Sequence, residues 1–198
     1  MKIKTLTSAV RMLSLFVLVS ATCTLAQERG QLHLKGLIND YSPATVKGGP
    51  WEMHGQWAFD IHGESDFADF AADMTMSDYA ITAGAPDATA GGQNAHTHHI
   101  RLTNARIIWN LTGCPTFSPA TTKGFQITST VNLITGNGSN ALFEPTPPTT
   151  TLQVCISGGT EVPYSNMTMV FVGPATSHFG PQAIHGVVRK LLADDGGH

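Results

Sequence analysis

Residues 52–63, EMHGQWAFDIHG, alternate in character. Trp57, Phe59 and Ile61 project to one side, and His54, Gln56, Ala58, Asp60 and His62 to the other, the period of two that a half-buried strand requires. QLHLKGLI, residues 31–38, alternates in the same way, and further strand-like runs cover 67–81, 97–111, 124–134, 151–156, 165–172 and 184–190. Eight such segments, with no amphipathic helical pattern after the first 26 residues, predict an all-β fold: an antiparallel barrel or a two-sheet sandwich of about eight strands. One stretch supports two outcomes. In SDFADFAADM, residues 65–74, Phe67, Phe70, Ala71 and Met74 also fall at helical spacing, so a short helix competes with the strand there. The alternation predicts that Trp57, Phe59, Ile61, Ile107, Trp109 and Phe171 are buried.

Two segments punctuate the pattern. AGAPDATAGGQN (83–94) and EPTPPTTT (144–151) carry the glycines and prolines of surface loops, since proline cannot donate to a strand ladder. No internal repeat stands out beyond two Met-Thr-Met triplets. The chain is read as residues 1–26, a signal peptide, followed by one β-barrel or sandwich domain over 27–198.

Lys2, Lys4 and Arg11 precede the apolar run 12–20, and Thr24-Leu25-Ala26 supplies the small residues a signal peptidase needs before Gln27. The apolar run is too short for a permanent membrane span. Lipidation at Cys23 is the alternative, although Ser20 and Thr22 are poor flanks for it. Cleavage near Ala26-Gln27 implies a secreted or periplasmic protein and leaves Cys114 and Cys155, an even pair expected to form a disulfide. It also leaves 8 of the 11 Lys+Arg against all 14 Asp+Glu, a balance of −6. An acidic chain with scattered bases lacks the basic patch that nucleic-acid binding requires.

All nine histidines fall after residue 26, and three of them crowd QNAHTHHIRL (93–102). On a strand, His96 and His98 share the face that continues as Ile100 and Leu102, which predicts that they look inward while His99 looks outward beside Arg101. Imidazoles at i and i+2 can bind one ion together. Partners for them are His178 and His185, which flank Gly180-Pro181, with His54, Asp60 and His62 as a second source. A site of three or four histidines, His96, His98, His178 and His185, suits a Zn, Cu or Fe ion. Ligation needs neutral imidazoles, so binding is expected to weaken below about pH 6.5. His33 and His198 have no evident role. The triplets Met74-Thr75-Met76 and Met167-Thr168-Met169 raise copper in particular, because soft thioethers select Cu(I), while methionine at alternate strand positions equally fills a core.

The His-x-His pair on a β-strand resembles the first metal motif of the cupins, with His96 and His98 in the matching places. The glutamate that follows in that motif has no counterpart, since Arg101, Leu102 and Thr103 stand there. The domain is thus expected to be lipocalin-like or cupin-like. With no nucleophile elbow or phosphate-binding loop in the chain, three functions remain. A His-lined pocket can bind a transition metal, with or without catalysis. A lipocalin-like cavity can bind a small apolar molecule without metal. A structural or surface-interaction protein needs neither.

Overall fold

Alternation has the consequence expected of it: each strand of the main sheet turns one row of apolar side chains to a common interior, and the sheet closes around them. The structure, a computed structural model, describes residues 32–46, 50–63, 65–78, 81–82, 85–86, 95–115, 123–137, 149–158 and 164–192. Residues 1–26, His198 and most of both Gly- and Pro-rich loops lie outside the described residues.

The strands are β1 (His33–Tyr41), β2 (Trp51–Ile61), β3 (Phe67–Asp78), β4 (Ile81–Thr82), β5 (Ala85–Pro86), β6 (His96–Ile108), β7 (Gly124–Thr130), β8 (Leu133–Asn137), β9 (Thr151–Ser157), β10 (Asn166–Val172) and β11 (Ile184–Leu192). A single four-residue helix, α1 (Thr176–Phe179), is described between β10 and β11. Strands β4 and β5 pair only with each other. The others pair antiparallel in chain order, and β3–β6 and β1–β11 pairings close an eight-strand barrel. β7 and β8 act as halves of one long strand, because β6 pairs with both in an unbroken register, Ile107 with Ile127 and Arg101 with Leu133. The barrel runs up and down, so the two-sheet alternative and the cupin-like jelly roll both give way to closure.

The competition in 65–74 goes to the strand. Phe70, Ala72, Met74 and Met76 all turn inward, and β3 gains a partner on each side. Tertiary pairing outweighs a helical spacing that only one short segment supports. Phe59 packs on Phe70 and Phe125 at 6.2 and 5.2 Å between ring centroids. Trp57, Phe59, Ile61, Ile107 and Phe171 are buried as expected, but Trp109 is 43% exposed. It lies just past the end of β6, where strand parity no longer applies. Its indole N–H donates to Asp66 Oδ1 at 2.8 Å instead.

Cys114 and Cys155 are joined by a disulfide. Cys155 points away from the inner row Leu152, Val154 and Ile156 on β9, and the segment after β6 folds back over it. Gln126 Nε2 donates to the carbonyls of Asn110 and Thr112 and accepts at Oε1 from Gln153. The disulfide and these hydrogen bonds together fasten 110–114 to the outer wall.

Two glycines let backbone and ring approach closely. A Cβ on Gly36 would lie 2.0 Å from the Val187 carbonyl oxygen and 2.4 Å from the Trp57 ring. Gly186 leaves room for the same indole from the neighbouring strand.

Candidate metal centre

β6 begins with His96 and His98 on the inner face of the barrel, where they are 1% and 0% exposed. A β-bulge interrupts the strand later. Asn104 takes φ 52°, its N–H donates to Asp69 Oδ1 at 2.7 Å, and the inward set changes from even to odd residue numbers. Because the bulge lies after Leu102, the parity of the histidine pair is untouched.

His178 arrives from the far side. β11 stands four strands from β6 in either direction around the ring, and α1, which precedes it, turns His178 and Phe179 into the barrel. Thr176 Oγ1 and Ser177 Oγ donate to the carbonyls of Gly173 and Pro174 at 2.8 and 2.9 Å, which fastens the helix start. Gly180 ends it at φ 88°, a conformation that favours glycine. Phe179 stacks on Phe171 at 4.3 Å and meets His98 edge-on at 4.9 Å.

Three imidazoles therefore converge. His178 Nε2 lies 3.0 Å from His96 Nε2 and 2.9 Å from His98 Nε2. His98 Nδ1–H donates to the Thr135 carbonyl at 3.2 Å, which leaves Nε2 of that ring as the bare, ligating nitrogen. One hydrogen on His178 Nε2 can be directed at only one of its two neighbours. A cation among the three nitrogens satisfies all of them, and the donor set fits a transition metal. Trp51 closes over the group, edge-on to His96 at 4.9 Å. Its backbone is clamped by Ser42, whose Oγ accepts from Trp51 N–H at 2.7 Å.

Two of the rings, His98 and His178, are held neutral. Burial, reinforced by the neighbouring His96, pushes His98 down to about 4 against a small opposing effect of the Thr135 carbonyl. Burial, then His98 and His96, pushes His178 down to about 3. Neutral imidazole, the ligating form, thus persists well below the pH 6.5 expected of ordinary histidine.

The remaining sequence candidates lie elsewhere. His185, grouped with the other three on sequence, is not brought to them. It sits on β11 between the buried Ile184 and Gly186, and its backbone N–H and ring Nδ1 both meet Asp40 Oδ2, at 2.7 and 2.8 Å. His54 pairs with Glu52 at 2.9 Å and His62 with Asp69 at 3.1 Å, while Asp60 pairs with His33. These groups face outward and do not form a second source of ligands. His99 faces outward as expected, sharing Asp73 with Arg101 at 2.7 Å each. Burial raises the Asp73 carboxyl, but the His99 and Arg101 hydrogen bonds and charges outweigh it and hold it below the usual range. The surround of the triad, Trp51, Phe179 and the Thr135 carbonyl, is not among the sequence candidates. A backbone acceptor leaves no signal in the residue pattern.

No protein-family profile, curated protein or solved structure matches the chain.

Proposed function

We propose that this chain is an exported β-barrel protein that binds one transition metal ion through His96, His98 and His178. The observation that carries the proposal is the convergence of three buried Nε2 atoms from opposite walls of the barrel. Export is supported by the charged, apolar and small-residue order of residues 1–26. The Cys114–Cys155 disulfide suits an oxidising compartment, and among the described residues no helix is long and apolar enough to cross a membrane. An apolar ligand of the lipocalin kind is less well supported, because large side chains, Phe59, Phe70, Phe125, Met53 and Met74 among them, fill the described interior.

A bound ion would link β6 to the β10–β11 connection, and a ligand that binds only the folded state stabilises it. Thermal unfolding of the chain, purified without a polyhistidine tag, tests this. At 100 times the dissociation constant the ion should add about 2.7 kcal/mol and raise the midpoint by several degrees. No shift with Zn²⁺, Cu²⁺, Fe²⁺ or, under anaerobic conditions, Cu(I) would remove the proposal.

A further inference from the structure

The register around the triad adds a second kind of donor. Met76 is the cross-strand partner of His96 and Met74 that of His98, and Met53 pairs with Met76 on its other side. Cross-strand partners share a face, so the three methionines line the same inner patch as the two histidines, each 0–1% exposed. Directly opposed residues hold their Cβ atoms about 5 Å apart. That distance is within the reach of an unbranched thioether with three rotatable bonds.

The charge balance of the patch points the same way. The buried polar and charged side chains among the described residues are Ser, Thr, Gln and His, with no carboxylate among them. A cation at the triad would meet neutral imidazoles, thioethers, Trp51 and Phe179. The Born cost of burying an ion rises with the square of its charge, so a monovalent ion pays roughly a quarter of the divalent cost. Iron and zinc sites commonly recruit a carboxylate or thiolate, whereas thioether and imidazole together suit copper in its lower oxidation state.

Resting on the metal-binding proposal above, we infer that the ion taken at this site is Cu(I), bound by His96, His98 and His178 with a thioether of the Met74 and Met76 pair as the fourth donor. The second triplet, Met167 and Met169, lies on β10 and pairs with β9 and β11. It has no histidine of the triad as a strand neighbour and serves the core.

The experiment is anaerobic Cu(I) titration against a chromophoric chelator, with a parallel Zn²⁺ titration. The parent is compared with Met74→Leu, Met76→Leu and the double variant. Leucine for methionine conserves volume, so folding should survive, and circular dichroism checks that it does. Loss of the sulfur donor should weaken Cu(I) at least about tenfold and leave Zn²⁺ within about threefold. X-ray absorption of the copper-loaded parent should show sulfur scattering that the double variant lacks. Where the double variant does not fold, the parent spectrum decides alone. Unchanged Cu(I) affinity in a folded double variant, or nitrogen-only scattering in the parent, overturns the inference. A parent that binds Zn²⁺ but not Cu(I) also overturns it and leaves the metal site standing. A parent that binds neither removes both.

Discussion

His98 and His178 stand Nε2 to Nε2 at 2.9 Å although eighty residues of chain separate them. Closing so long a loop is entropically costly, and the barrel bears that cost for every side chain it turns inward. Closure sets the inward pair His96 and His98 opposite α1, and that helix carries His178 to them.

Substitution separates the inward from the outward histidine. His98→Ala should cost more than the 10–100-fold in metal affinity that loss of an outer-sphere partner typically brings, whereas His99→Ala should change it less than about threefold and stability by less than about 1 kcal/mol. Calorimetric titration of the two variants beside the parent measures both. Equal losses in the two would place the site outside the barrel.

Acid should lower the stability of the metal-free protein before it protonates His98 and His178 in the folded chain. The unfolded chain protonates His98 and His178 near 6.5, but the folded chain does so only at about 4 and about 3. Between those limits the unfolded state binds more protons, so stability is complete above about pH 6.5 and declines as pH falls toward 3. Urea unfolding of the metal-free chain should lose on the order of a few kcal/mol between pH 7 and 4. His98→Gln should flatten that slope. In the folded chain the rings of His98 and His178, followed by NMR, should show no protonation between pH 7.5 and 6. Titration of either ring near 6.5 would mean that it is solvated.

The disulfide closes a loop with a sequence separation of 41, for which the chain-entropy model gives about 4 kcal/mol. Paired Cys114→Ser and Cys155→Ser substitution should remove most of it, read from urea unfolding. Two alkylatable thiols in the unreduced native protein would contradict the bond itself.

Gly36→Ala tests the packing of Trp57. The added Cβ would meet the Val187 carbonyl and the indole far inside contact distance, and overpacking of this kind should cost about 3 kcal/mol. Gly63→Ala, where the added atom meets nothing within 4 Å but φ is +51°, should cost about 1 kcal/mol. Thermal midpoints rank the two.

Much of this was legible in the residue pattern, for identifiable reasons. Period-two alternation found the barrel strands, and the parity of 96–102 oriented His96, His98 and His99, because the Asn104 bulge falls beyond them. Closure was harder to read. Barrel and sandwich share one alternation, and only the β1–β11 pairing decides between them. The choice of His178 over His185 depends on two things that leave no periodic signal: a one-turn helix, and an Asp40 carboxylate that holds the later ring. Trp109 was misplaced because a strand's parity ends with the strand. The placement of Met74 and Met76 beside the histidines is a matter of register, which depends on how β3 and β6 align and not on either segment alone.

His96, His98 and His178 are proposed to hold one ion between them. The most direct test is metal content by mass spectrometry after dialysis. The untagged parent, loaded with Cu(I) under anaerobic conditions or with Zn²⁺, is compared with His178→Ala. One ion per chain in the parent and less than about a tenth of that in a folded variant is the predicted result. Equal metal in parent and variant, or none in the parent, would contradict it.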